Sequence, residues 1–181
     1  ISTYLNGGCP SNPYVILEAQ YKSGGQITPV AGTGSTLREG IDPALACRLT
    51  KLFDAAKLQG CQVKITSGYR SAALQQSMCG AGRTGCAAPG SSCHQPGLAV
   101  DVSAPKCIGW LRKVAPQFQL VFPYYGDHIQ CAEHPSASTR SCNRACNGGL
   151  AITPDLSKLP PIGSVPDTYF VPPAGADNPF Q

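Results

Sequence analysis

The chain has 181 residues, a formal net charge of +4 and 13% charged residues, against a usual share of ~25%. That length fits one domain. The unclustered Lys and Arg exclude a nucleic-acid footprint, and the lack of any run approaching ~18 apolar residues excludes a membrane-spanning helix. Twenty glycines and 17 prolines predict a loop-rich chain, while 42% hydrophobic residues and ten cysteines argue against disorder.

Residues 1–40 are turn-rich, with short apolar runs such as Tyr14 to Leu17. The opening ISTYLNGGCP has neither the basic nor the apolar region of a signal peptide, so any such peptide is expected to have been removed. The clearest helix follows. Asp42 is a natural N-cap, Pro43 suits the first helical position and Gly60 the stop. Leu45, Leu49, Leu52, Phe53 and Ala56 fall on one apolar face. Gln62 to Thr66 alternates as a strand with Val63 and Ile65 inward, and Ser71 to Met78 reads as a short helix. Residues 79–97 form a long loop. Strands are expected at Leu98 to Val102, Phe118 to Phe122 and Asp127 to Cys131, with a short helix from about Cys107 to Val114. From Thr153 the chain carries seven prolines and reads as an extended arm that lies on the domain or reaches a partner. The pattern predicts an α+β domain with a small antiparallel sheet and flanking helices.

The cysteines are Cys9, Cys47, Cys61, Cys79, Cys86, Cys93, Cys107, Cys131, Cys142 and Cys146. No CxxC pair occurs, which argues against a zinc ribbon or a thioredoxin-like motif. Dispersed cysteines in a small Pro/Gly-rich chain predict up to five disulfides and a secreted or periplasmic, cell-envelope location. Their connectivity is not fixed by spacing.

Three histidines are present: His94, His128 and His134. A loop His94 and a strand Asp101 can converge on one cation. His128 from a neighbouring strand would make three ligands and leave a position for water, as catalytic zinc requires. The competing reading has His94 bonded to backbone and Asp101 capping a turn. His134, followed by Pro135, is expected at the surface.

Ser67-Gly68-Tyr69-Arg70-Ser71, and then Ser92-Cys93-His94-Gln95-Pro96-Gly97-Leu98-Ala99-Val100-Asp101, resemble the SGYRS and SxHxxGxAxD motifs of the zinc D-Ala-D-Ala peptidases. That superfamily includes VanX and VanY carboxypeptidases, murein endopeptidases and phage endolysins, and the hedgehog signalling domain shares its fold. The resemblance covers roughly residues 40–132. It implies a disulfide-stapled, hedgehog-type peptidase domain over 41–150, with 1–40 packed on it and 151–181 as the arm. It further implies Zn2+ as cofactor, His94 and Asp101 as ligands, Arg70 facing the charge on the scissile carbonyl, and Tyr69, Ser92 and Gln130 contacting substrate.

The third motif departs from the pattern. VanX-type enzymes carry a catalytic Glu three residues before the last His ligand, where this chain has Tyr125. Members with His-x-His on this strand would put Gln130 at the ligand position, whereas a Val-His-Val-Asp branch matches His128. Positions 128 and 130 share a strand face, so both remain open, with His128 preferred. For the general base the nearest acids are Asp127 and Glu133, and Asp127 is preferred. The resemblance implies a zinc peptidase cleaving peptidoglycan stem peptides, as a carboxypeptidase or an endopeptidase, and is compatible with a place within a larger envelope or phage assembly. The alternative is a catalytically inactive module of the same fold that binds cell wall or a protein partner through the arm.

Overall fold

A computed structural model describes residues 41–68, 76, 92–94, 97–135, 146 and 154–174. The expected helix at Ser71 to Met78, apart from Gln76, lies outside the described residues, as do the N-terminal segment, Tyr69 and Arg70.

Helix α1 spans Pro43–Leu58. Asp42 caps it by accepting from the Leu45 amide at 3.0 Å. The left-handed φ of Gly60, +82°, ends it as the glycine stop requires. Leu45, Leu49, Leu52, Phe53 and Ala56 are all fully buried, as the spacing predicts. So are Arg48, Thr50 and Lys51, so the helix is covered over more than its apolar stripe. Arg48 is answered by Glu133, with its Nη1 2.8 Å from the carboxylate. The Lys51 ammonium finds no hydrogen-bond partner among the described residues, and burial lowers its pKa.

The four strands are β1 Lys64–Ser67, β2 Ala99–Ser103, β3 Leu120–Val121 and β4 His128–Cys131. They form one antiparallel sheet in the order β1-β2-β4-β3. Helix α2, Ile108–Val114, lies between β2 and β3 in the chain. Val100, Val102 and Ile129 on the strands share the core with Trp110 and Leu111 of α2 and Phe53 of α1. Strand β3 is shorter than the expected Phe118 to Phe122. Pro116 favours a 3-10 turn over Ala115–Phe118, and Gln119 then turns left-handed at φ 56°, so pairing begins only at Leu120.

Disulfides join Cys61 to Cys107 and Cys131 to Cys146, and Cys47 and Cys93 are disulfide-bonded as well. All six described cysteines are therefore oxidised. The Pro-rich segment 154–174 lies on the domain. Leu159 and Val165 are buried in the core, the Trp110 indole donates to the Pro160 carbonyl at 2.7 Å, and the Gln59 side chain accepts from the Ile162 amide at 3.0 Å.

Candidate metal centre

Register builds the site. Asp101 of β2 stands directly opposite His128 of β4, and Ala99 opposite Gln130. Directly opposed residues in an antiparallel pair share a face, and residues two apart on one strand do as well. Asp101, His128 and Gln130 therefore project from the same side of the sheet.

His94 arrives from the turn before β2. The Gly97 amide donates to the His94 carbonyl at 3.1 Å, and Leu98 to Cys93 at 3.0 Å. Gly97 has φ +74°, a conformation that glycine adopts without strain. The Asp42 amide bonds the Gly97 carbonyl at 3.0 Å, so the cap of α1 also pins this turn. Ser92, expected to contact substrate, accepts from the His94 amide at 3.2 Å and is buried.

The imidazole tautomers follow from their partners. His94 Nδ1 lies 2.8 Å from the Gly68 carbonyl oxygen, which can only accept, so Nδ1 carries the hydrogen and Nε2 the lone pair. That Nε2 is 3.3 Å from Asp101 Oδ1. Gln130 donates its amide nitrogen to the His134 carbonyl, which turns Oε1 toward His128 Nε2 at 2.9 Å. The His128 hydrogen is thereby placed on Nε2, and its Nδ1 lone pair faces Asp101 Oδ1 at 3.1 Å. The two rings meet edge-on with centroids 4.9 Å apart, and Tyr124 covers His128 at 5.4 Å.

Two imidazole nitrogens and a carboxylate oxygen thus lie within 4.8 Å of one another. Each imidazole donates its other N–H to an oxygen, the arrangement that orients histidine ligands at zinc centres. Three such protein donors fit zinc with a position left open. Gln130 is fully buried beneath His128, and between the two positions on this strand face it is the His128 lone pair that meets Asp101. A second grouping, Cys131, Glu133 and Cys146, is no rival, because its two sulfurs are bonded to each other and Glu133 is paired with Arg48.

His134 is buried at 5% exposure, contrary to the surface position expected of it. Its amide bonds the Cys131 carbonyl at 2.9 Å in the turn after β4, and its own carbonyl receives the Gln130 amide, which draws the residue inward.

Two carboxyls near the centre are pushed apart. Burial acts to raise the Asp101 pKa, but the two imidazoles set against its Oδ1 outweigh burial and hold the group well below the ordinary carboxylate range. The Asp127 pKa is raised, first by burial and then by the Asp101 charge, against the opposing pull of a backbone bond, His128 and Arg112. Asp127 is more exposed than the ligand set and sits in the loop just before β4. The residues that sequence reasoning missed are Gly68, whose carbonyl orients His94, and Arg112, whose guanidinium holds the loop before Asp127. Gly68 stood within a recognised motif; Arg112 carried no sequence signal.

Residues 38–134, just over half of the chain, match the family described as D-alanyl-D-alanine carboxypeptidase, VanY. No curated protein matches the chain. Among solved structures, a mutant of the vancomycin-resistance D,D-pentapeptidase VanY from a VanB-type resistance cassette, in complex with Zn(II), is 26% identical. That match covers 59% of this chain and 80% of the other, with a TM-score of 0.44. VanYB in complex with D-alanine-D-alanine is 24% identical over 56% of this chain and 74% of its own, with a TM-score of 0.44. The LdcB LD-carboxypeptidase is 23% identical over 56% and 61%, with a TM-score of 0.44.

Proposed function

The chain belongs to the VanY D-alanyl-D-alanine carboxypeptidase family, and from that membership we propose that it is a zinc-dependent peptidase cleaving the stem peptides of peptidoglycan. The observation that carries the reading is the convergence of His94 Nε2, Asp101 Oδ1 and His128 Nδ1, with each imidazole oriented by an oxygen at its other nitrogen. Zinc held there supplies a Lewis acid that polarises a scissile carbonyl and lowers the pKa of water. Asp127 handles the proton. Its raised pKa suits a group that accepts a proton from the attacking water and returns it to the leaving amine. Asp101, held ionised, keeps its negative charge for the cation. Arg70 and Tyr69, outside the described residues, are assigned to the oxyanion and the substrate by their motif, while Ser92 and Gln130, the other expected substrate contacts, are buried. Gln130 acts there mainly on His128.

The oxidised cysteines support action in an oxidising compartment, secreted or in the cell envelope. No described helix is long and apolar enough to cross a membrane.

The second reading, an inactive module of the same fold that binds cell wall, draws on Tyr125, which stands three residues before His128 where VanX-type enzymes have Glu. Purified peptidoglycan incubated with the zinc-loaded protein separates the two. Release of D-alanine or stem-peptide fragments, abolished by a chelator and restored by zinc, is the expected result. No release under any metal, with the protein retained on the wall, would establish the inactive module instead.

A further inference from the structure

Helix α2 is the place where the arm and the site meet. A Cβ on Gly109 would overlap the Pro166 carbonyl oxygen outright and come to 3.0 Å from Asp167 Cα, so the arm crosses the helix at a distance only glycine permits. The next residue, Trp110, donates to Pro160 at 2.7 Å. Arg112 then bridges two segments remote in sequence. Its Nε and Nη2 reach the Gly126 carbonyl at 3.1 and 2.9 Å, while Nη1 reaches the Asp167 carbonyl at 2.8 Å and that of Tyr169 at 3.3 Å. Its guanidinium also lies 4.4 Å from the centre of the Tyr125 ring, which meets Phe170 edge-on at 5.9 Å. On its far side the Val102 amide ties the loop to the sheet through the Asp127 carbonyl at 2.9 Å.

We propose that Arg112, backed by residues 166–170 of the arm, is a positioning residue that fixes the Tyr124 to Asp127 loop against the metal centre. The arm is thus a working part of the site. A planar fork carries its donors on three separate nitrogens and so reaches the loop carbonyl on one edge and the arm carbonyls on another, a span that the three donors on the single nitrogen of an ammonium do not cover. Upstream of the two carbonyls that Arg112 holds, the arm makes 3-10 turns at Leu156–Lys158 and Ile162–Ser164. The catalytic meaning of this device rests on the proposed role of Asp127; its mechanical meaning does not.

The test compares Arg112→Gln, Arg112→Lys and Gly109→Ala in the full chain. Amide hydrogen exchange at Val102 reads the loop, and acrylamide quenching of Trp110, the only tryptophan, reads the arm. Zinc per chain and kcat and KM on a stem peptide are measured on the same samples. In Arg112→Gln the Val102 amide should exchange faster and kcat fall by roughly tenfold or more, with zinc content and KM little changed. Arg112→Lys should not restore either. Gly109→Ala should expose Trp110 to quencher and reproduce the loop change from outside the site. Val102 protection and kcat at wild-type values in Arg112→Gln would overturn the proposal. So would a Gly109→Ala protein whose arm lifts without loosening the loop, or one whose arm stays down. Should Gly109→Ala fail to fold, the Arg112 pair decides. A wild-type protein that cleaves nothing refutes the peptidase reading, while Val102 exchange still decides whether Arg112 holds the loop.

Discussion

Asp101 and His128 owe their positions to strand register, and His94 to the turn before β2 and its bond to the Gly68 carbonyl, whereas Asp127 stands in a loop held from the helix side by Arg112. This rim is held by a helix and an arm, elements other than the turn and strands that carry His94, Asp101 and His128, the floor of the site. On the proposed roles, metal holding and proton handling would fall to different elements, and substitutions should split them.

The largest effect should come from the floor. His128→Ala removes a ligand and should abolish stoichiometric zinc together with all hydrolysis, read by elemental analysis of the purified protein. A variant that keeps one tightly held zinc would dissolve the distinction between floor and rim. Asp127→Asn is the matching change at the rim: kcat should drop by about 10²–10⁴ with zinc retained, since general acid–base contributions are of that order. The pH profile sharpens this. Asp127 must be ionised to accept a proton and its pKa is raised, so activity should fall on acidification at a higher pH than an ordinary carboxylate would dictate. Zinc content measured at each pH separates that limb from loss of metal.

Gln130→Leu should have the smallest effect. It removes the acceptor that holds the hydrogen on His128 Nε2, and zinc should bind about 10–100-fold more weakly in a chelator competition, with activity recovering at high zinc. Unchanged affinity would mean that strand register alone fixes the ligand.

Much of the floor was legible in the sequence because its signals are local. Asp42, Pro43 and Gly60 bracket α1 by cap chemistry, and the spacing from His94 through Gly97 to Asp101 sets a turn feeding a strand. Period-two alternation placed 128 and 130 on one face but could not say which faced Asp101, because that was decided by a carbonyl four residues past Gln130. The shortening of β3 arose from a left-handed Gln119, a residue type without a strong preference for that conformation. Arg112 was illegible for a related reason. Its partners are backbone carbonyls 14, 55 and 57 residues away, and a carbonyl has no side-chain identity to recognise.

The Cys61–Cys107 disulfide joins the exit of α1 to the entry of α2 across 46 residues of sequence, and His94 and Asp101 lie inside the ring it closes. A protease that cuts the backbone once anywhere between those two cysteines opens the ring without releasing a fragment, since both new ends stay attached to the domain through the sulfur bridge. His94 and Asp101 would then remain on a single covalent body, and a nicked chain would run as two pieces only after reduction.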